Sequence, residues 1–172
     1  MKVLMIIPAY NEEESILNTV MSIVEYRKKV DFDLDYVVIN DGSVDRTEEI
    51  LDSHNLNAIH LVMNLGIGGA VQTGYKYAFE NNYDVAVQFD GDGQHDIESL
   101  DALLEPIRHQ QADLVIGSRF IGDKASEFQT TFMRRFGITI ISAFIKLTTG
   151  KRILDTTSGY RMANRDIIRQ FA

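Results

Sequence analysis

Cysteine is absent from the 172-residue chain, which excludes both a disulfide framework and a thiolate metal site. No apolar run reaches the roughly 18 to 20 residues that a membrane-spanning helix needs. The longest candidate, from Phe136 to Leu147, is shorter and contains Lys146. The N-terminus leads straight into a strand-like segment and shows no signal-peptide pattern. We therefore expect a cytoplasmic protein.

Basic residues are scarce in the first two thirds of the chain. Residues 1–116 carry 7 basic and 21 acidic side chains, a net charge of −14, whereas residues 117–172 carry 10 and 4, a net charge of +6. The overall charge of −8 argues against nucleic acid as a partner, because an acidic surface repels phosphates. The basic C-terminal block is either a solvated helix face or a site for an anionic substrate or lipid surface.

Only two prolines interrupt the chain, and 45% of its residues are hydrophobic, enough for a real core. Five apolar runs alternate with four helical segments, which predicts an α/β protein with a mainly parallel sheet flanked by helices. The predicted strands are Val3–Ile7, Tyr36–Ile39, Ile59–Met63, Val85–Phe89 and Leu114–Ile116. The predicted helices are Glu12–Tyr26, Ser43–Ser53 (with Ser43 or Asp45 as N-cap), Gly68–Glu80 and Ile97–Gln110. We find no linker or repeat, so a single domain over residues 1–172 is the simplest organisation.

The pattern changes after Arg119. Residues Thr130 to Thr149 have apolar side chains at spacings of three and four, which predicts an amphipathic helix with Arg134, Arg135 and Lys146 on it. This basic helix is either a buried helix of the same domain or a helix that lies on a membrane surface.

Ligands of a parallel α/β sheet bind at the carboxyl ends of the strands. The segments that follow the five runs are Pro8–Glu12, Asn40–Ser43, Asn64–Gly66, Asp90–Asp92 and Gly117–Arg119. Asp90 and Asp92 lie two residues apart just past a strand, so their side chains point to one side and can share a hard cation. Two carboxylates this close repel each other without a counter-charge, and a divalent ion is the expected partner.

Other families place similar residues after a strand. An EF-hand is excluded, because Gln94, His95 and Asp101 stand where its loop needs Asp or Asn, Gly and Glu. A phosphatase of the haloacid dehalogenase type places D-x-D-G after a strand, with Asp90 as nucleophile and Asp92 as acid/base, and stays open as an alternative. A dinucleotide-binding loop at Gly66 to Val71 is disfavoured, because Val71 replaces its third glycine and the loop follows the third strand.

Five segments, taken in order, resemble the motifs of family 2 glycosyltransferases with the GT-A fold. They are Pro8-Ala9-Tyr10-Asn11-Glu12-Glu13, Asn40-Asp41-Gly42-Ser43-Val44-Asp45, Asn64-x-Gly66-x-Gly68-Gly69-Ala70, Asp90-Gly91-Asp92-Gly93-Gln94-His95 and Gly117-Ser118-Arg119. The later segment Phe132–Met162, with Asp155-Thr156-Thr157-Ser158-Gly159-Tyr160-Arg161, is most similar to dolichyl or polyprenyl phosphate sugar transferases. The resemblance covers nearly the whole chain.

The resemblance implies a role for each matching residue. Seven residues would bind the nucleotide, namely Pro8, Ala9, Tyr10, Glu12, Asp41, Gly66 and Asp90. Of these, Asp41 would accept a hydrogen bond from the base. A Mg²⁺ or Mn²⁺ ion on the diphosphate of a nucleotide-sugar donor would be surrounded by Asp90, Asp92 and Gln94. The residues that would act in catalysis are Asp92, Arg119 and Arg134 (or Arg135). Asn11 and Ser43 have a plainer interpretation as N-caps, and Asp45 as a first-turn acid. Residues 1–119 would then hold the donor, and residues 120–172 would face the acceptor and the cytoplasmic side of a membrane.

The kind of acceptor can be predicted from whether the attacking group needs a general base. A sugar hydroxyl needs a carboxylate base, which other branches of the family supply in a Glu-Asp pair, and this chain has no Glu-Asp dipeptide. A phosphate monoester, with a second pKa of about 6, is already a nucleophile at neutral pH. Transfer to polyprenyl phosphate is therefore expected. Transfer to a glycan hydroxyl, with Asp155 as base, and a non-catalytic donor-binding domain stay open. Relatives typically continue past Arg161 for another helix and strand, so we also expect that the chain is either truncated or unusually short.

Overall fold

The computed structural model describes residues 1–90, 97–117 and 159–172. In these ranges the strands are β1 (Lys2–Ala9), β2 (Asp33–Asn40), β3 (Ala58–His60), β4 (Val85–Gln88), β5 (Leu114–Ile116) and β6 (Arg161–Asn164). The helices are α1 (Ile16–Arg27), α2 (Thr47–Ser53), α3 (Gly66–Glu80), α4 (Leu100–Arg108) and α5 (Arg165–Phe171), with a 3₁₀ turn at Ile97–Ser99 before α4. The chain divides into two units, Met1–Val115 with Arg161–Ala172, and Ile116–Tyr160. The predicted basic helix Thr130–Thr149 lies outside the described residues.

The strands form one sheet in the order β3-β2-β1-β4-β6-β5. Strands β3, β2, β1 and β4 are parallel, and β6 is antiparallel to β4. The prediction of an α/β protein with a mainly parallel sheet is therefore confirmed. Strand β6 was not predicted, because it has only four residues and polar side chains at both ends, Arg161 and Asn164.

Strand β1 is the centre of the sheet, paired with β2 on one side and β4 on the other. Its residues Val3 to Ala9 are all buried, as expected of a strand covered on both faces. Helix α3 packs directly on it, since a Cβ built at Gly74 would overlap Cγ2 of Ile6. A glycine at residue 74 thus allows the helix to approach the strand closely.

Several element ends differ from the predicted ones. Strand β3 ends at His60 rather than Met63, which leaves Val62 and Met63 exposed. Helix α1 begins at Ile16 rather than Glu12, and α2 begins at Thr47 rather than Ser43. The residues before these two helices form hydrogen bonds between loops instead of continuing the helices. Among the described helices, none is long and apolar enough to cross a membrane.

The strand order also fixes where a ligand can bind. From β1 the chain moves outward to β2 and β3, and then returns to place β4 on the other side of β1. A crevice opens at such a switch point, at the carboxyl ends of the two neighbouring strands. In this sheet the crevice lies where β1 continues into Tyr10 and β4 into Phe89 and Asp90.

Candidate active site

A cleft of about 420 Å³ lies at the carboxyl ends of the parallel strands. All seven residues predicted to bind the nucleotide line it, and Asn64, Ile67 and Ala70 complete the lining. The seven are Pro8, Ala9, Tyr10, Glu12, Asp41, Gly66 and Asp90. They come from four places in the sequence, which the sheet brings to one edge. The three additional residues follow from the same strand-end rule, because they stand in the loop after β3 and in the first turns of α3.

Asp41 is held in a fixed orientation at the base of this cleft. It is buried, with 3% of its surface exposed. Its N–H donates to the carbonyl oxygen of Ala9 at 2.8 Å, and its Oδ1 accepts from the N–H of Leu65 at 2.7 Å. A carboxylate has several acceptor positions, so Asp41 keeps capacity for a donor on a ligand.

The turn after Asp41 brings two loops into contact. Gly42 has φ +67°, and a Cβ at this residue would lie 2.7 Å from the nitrogen of Asn64 and 2.8 Å from the carbonyl carbon of Met63. Only glycine combines this left-handed conformation with such a close approach. The backbone of Met63 and Asn64 is therefore packed against the turn that carries Asp41.

Asn40 supports the same turn from β2. It is fully buried; its Oδ1 accepts from the N–H of Ser43 at 3.1 Å, and its Nδ2 lies 3.0 Å from Nδ1 of His60. Nε2 of His60 in turn lies 3.3 Å from Oδ1 of Asp52. The asparagine thus ties the Asp41 turn to β3. Its role was not predicted, since its partner is twenty residues away in the chain.

The loops after β1 and β2 are joined by a set of hydrogen bonds that we call the loop clasp, formed by residues 11–13 and 43–47. In its outer part, the N–H of Asn11 donates to Oγ of Ser43 at 3.0 Å, and the N–H of Val44 donates to Oδ1 of Asn11 at 2.9 Å. Asn11 reaches this position in the left-handed region, with φ 56°, which asparagine tolerates better than most residues. Asn11 and Ser43 therefore link two loops rather than capping their own helices.

The inner part of the loop clasp centres on Thr47, which is fully buried. Its Oγ1 accepts from the N–H of Glu12 at 2.9 Å and donates to Oδ1 of Asp45 at 2.6 Å. Asp45 also accepts from the N–H groups of Thr47 and Glu13, at 3.0 and 3.1 Å, and the N–H of Arg46 donates to Oε2 of Glu13 at 3.0 Å. The clasp fixes Glu12, which lines the cleft, relative to the loop that follows Asp41.

The electrostatics of Asp45 reflect this network. Burial raises the pKa of Asp45, but the hydrogen bonds from Thr47 and Glu13 outweigh it and hold the pKa below its ordinary value. Asp45 thus behaves as an ionised acceptor for the first turn of α2 and for the neighbouring loop.

On the other side of the cleft, Asp90 follows β4. The N–H of Phe89 donates to the carbonyl oxygen of Ile6 at 2.9 Å, and the Phe89 ring is buried. The pairing with β1 therefore persists to the residue before Asp90, whose half-buried side chain lines the cleft. Asp90 is thus held next to the end of β1, across the cleft from Asp41.

Asp92, Gln94, Arg119 and Arg134 lie outside the described residues. Within the described ranges, no group of three or more histidine, aspartate or glutamate residues forms a metal cluster. Of the predicted metal ligands, the described part of the chain contains Asp90 alone, so the metal site stays a prediction.

Arg161, the last residue of the C-terminal motif, lines a different cleft of about 350 Å³ between α3 and α5. Gln72, Tyr75, Gln88 and Phe171 are among its other lining residues. The rings of Tyr75 and Phe171 pack edge to face, with centroids 5.2 Å apart. Burial raises the pKa of Tyr75 to about 12, so its hydroxyl is neutral at physiological pH.

Comparison with known proteins relates this geometry to a family. The family model described as glycosyl transferase family 2 matches residues 5–171. Undecaprenyl-phosphate mannosyltransferase from Micrococcus luteus is 35% identical over 98% of this chain and 69% of its own length. Polyprenol monophosphomannose synthase from Mycolicibacterium smegmatis is 29% identical over 97% of this chain and 63% of its own.

A solved structure shares the fold. Glucosyl-3-phosphoglycerate synthase from Mycobacterium tuberculosis, crystallised with Mn²⁺, UDP-glucose and phosphoglyceric acid, superposes with a TM-score of 0.71 at 19% identity, over 96% of this chain and 57% of that one. The mixed α/β architecture is thus that of GT-A glycosyltransferases. The chain spans between 53% and 72% of the length of its curated relatives.

Proposed function

The chain belongs to glycosyl transferase family 2, and from that premise we propose that it transfers a sugar from a nucleotide-diphosphate donor to a polyprenyl phosphate. The observation that carries the proposal is the cleft itself. Seven motif residues from four separate segments line one space of about 420 Å³ at the switch point of the sheet. Pockets of this size, with a few placed polar groups, suit small-molecule ligands.

The donor would lie across the cleft from Asp41 to Asp90. Asp41, whose Oδ1 is already engaged by Leu65, would accept a hydrogen bond from the base. Tyr10, which is exposed and lines the cleft, would pack its ring on the flat face of the base. The diphosphate would point toward Asp90, because that carboxylate needs a cation between itself and an anionic ligand.

Asp90, together with Asp92 and Gln94, would hold Mg²⁺ or Mn²⁺, since oxygen ligands suit both ions. When bound, such an ion neutralises the negative charge that builds up on the leaving diphosphate. Mn²⁺ accompanies UDP-glucose in the solved neighbour described above, which supports this assignment. Arg119 and Arg134 would add positive charge where the phosphates separate.

The acceptor proposal rests on the basic block and on the named relatives. A phosphate monoester attacks the anomeric carbon from the face opposite the diphosphate, which inverts that centre and needs no general base. The net charge of +6 over residues 117–172 would attract it. Three of the curated relatives are named for undecaprenyl phosphate, polyprenol monophosphomannose and dolichyl phosphate, which favours a lipid phosphate over a glycan hydroxyl.

Replacing Asp41 by asparagine is expected to weaken nucleotide binding by about tenfold or more. The asparagine keeps one carbonyl oxygen for the N–H of Leu65 but loses the second acceptor that would face the base. Isothermal titration calorimetry with UDP and GDP, with and without Mn²⁺, measures the affinity. Asp84→Asn is the matched control, since Asp84 accepts from the N–H of Lys2 at the amino-terminal ends of the strands, opposite the cleft.

The wild-type chain should bind one nucleoside diphosphate in a metal-dependent manner, and the control should bind it equally well. The family match excludes the haloacid dehalogenase alternative, so binding of neither nucleotide, with or without Mn²⁺, would count against the proposed donor. Equal affinity of the wild type and Asp41→Asn would remove Asp41 from the donor site.

A further inference from the structure

A group of exposed apolar side chains borders the candidate active site. We call it the apolar rim: Val44, Val62, Met63, Leu65 and Ile67. Each has more than half of its surface exposed, from 54% for Leu65 to 83% for Val44 and full exposure for Val62. The described residues contain eleven exposed large hydrophobic side chains, and these five belong to two neighbouring loops and the start of α3. Apolar exposure concentrated in this way marks an interaction surface.

The contacts of the fold show that the rim is one surface. The Gly42 turn, two residues before Val44, is packed on the backbone of Met63 and Asn64, so the loop that carries Val44 adjoins the loop that carries Met63. The Asp41 carboxylate holds the N–H of Leu65, and Ile67 follows in the first turn of α3, where it lines the cleft. The rim therefore runs from the loop after β2 to the mouth of the candidate donor cleft.

The composition of the rim distinguishes between kinds of partner. The loop from Leu61 to Leu65 has no charged residue, whereas loops on a protein surface are ordinarily polar. The rim consists of aliphatic side chains and a methionine, and it lacks the tryptophan, tyrosine and arginine anchors typical of protein interfaces. Uncharged aliphatic side chains are the ones that enter the acyl region of a bilayer at low cost.

We propose that the apolar rim inserts into the lipid bilayer that carries the acceptor. This inference rests on the proposed function, because a polyprenyl phosphate stays in the membrane and the donor cleft must be brought to it. Residues 1–116, which contain the rim, have a net charge of −14, so attraction to anionic lipid cannot drive this contact. The rim binds through burial of apolar surface, and its contribution is independent of salt.

Vesicle flotation with phosphatidylcholine vesicles at high salt tests the proposal. The wild-type chain is expected to float with the vesicles, and Val62→Asn with Met63→Gln is expected to lower the vesicle affinity by about tenfold or more. The control replaces two exposed apolar residues elsewhere, Met21→Gln with Phe79→Asn, and should float like the wild type. UDP titration on the same preparations checks the donor cleft, which neither Val62 nor Met63 lines.

Three results would overturn the inference. The first is a wild-type chain that binds only anionic vesicles and is released by salt, which would assign the contact to the basic block. The second is equal flotation of the wild type and the rim variant. The third is a wild-type dimer that the rim variant dissociates without any binding to vesicles, which would make a second copy the partner. Absence of nucleotide binding would instead count against the proposed function and leave the flotation result standing.

Discussion

Asp90→Asn is expected to lower kcat/KM for sugar transfer by about 100- to 1,000-fold, the usual loss when one group that stabilises transition-state charge is removed. Asp90 is held by the pairing of β4 with β1 and lines the cleft directly. Asparagine keeps the size of the side chain but removes its negative charge, and with it the attraction for a divalent cation. Initial rates measured over a range of Mn²⁺ concentrations should show both a lower maximum and a higher half-saturating concentration.

Asp84→Asn serves again as the control, since it removes the same negative charge at the amino-terminal ends of the strands, away from the cleft. Its rate and its dependence on Mn²⁺ should match the wild type. Unaltered transfer and unaltered Mn²⁺ dependence in Asp90→Asn would contradict the placement of Asp90 at the diphosphate.

Thr47→Val is expected to reduce the free energy of unfolding by about 2 to 3 kcal/mol and to weaken nucleotide binding as well. Valine has the shape of threonine but cannot accept from the N–H of Glu12 or donate to Asp45, so the N–H of Glu12 loses its partner and Asp45 loses one of its hydrogen bonds. Glu12 lines the cleft, and its loop would no longer be fixed relative to Asp41. Urea unfolding and UDP titration on the same variant measure the two effects.

Thr47→Ser retains the hydroxyl and should recover most of both losses. If the valine and serine variants have equal free energies of unfolding, the hydrogen bonds of Thr47 contribute nothing to stability beyond the packing of its side chain. A variant that is less stable but binds UDP normally would restrict the clasp to a structural role.

The pH dependence of Thr47→Val gives a further check on its mechanism. Because the folded pKa of Asp45 lies below the unfolded one, its carboxylate stabilises the fold at a pH above the unfolded pKa, and this contribution is lost as the pH falls through the folded pKa. Thr47 provides a hydrogen bond that lowers this pKa. The difference in stability between the wild type and Thr47→Val should therefore shrink as the solution is made acidic through that range.

The strand ends were the most predictable part of this molecule. Continuous apolar runs such as that of β1 report burial on both faces, and in a parallel sheet the residues after such runs meet at one edge. This local pattern predicts, from the sequence alone, that Asp41, Gly66 and Asp90 meet at that edge. The roles of these residues came from the resemblance to a family and stay predictions.

The contacts between loops could not be predicted in the same way. Asn11 and Ser43, and likewise Glu12 and Thr47, lie more than thirty residues apart in the chain. Their side chains are equally suited to capping a local helix, and nothing in a single sequence distinguishes a local partner from a distant one. The predicted helix starts at Glu12 and Ser43 were wrong for this reason.

The end of β3 was also mispredicted for a physical reason. The run from Ile59 to Met63 is apolar throughout, and apolar runs ordinarily mean burial. In the structure its last residues leave the sheet and face solvent, because the chain must turn there to meet Gly42 and begin α3. An apolar stretch that is exposed in the fold is evidence of an external partner, and the proposed bilayer contact starts from that discrepancy.

In the reaction that we propose, a lipid-borne phosphate accepts the sugar. The most direct measurement supplies radiolabelled nucleotide sugars, Mn²⁺ and vesicles that contain polyprenyl phosphate, and then identifies the labelled product by mass spectrometry. We predict a sugar bonded to the lipid phosphate through its anomeric carbon, with inverted configuration. Label that reaches the hydroxyl of a glycan acceptor while polyprenyl phosphate remains unmodified would contradict the claim.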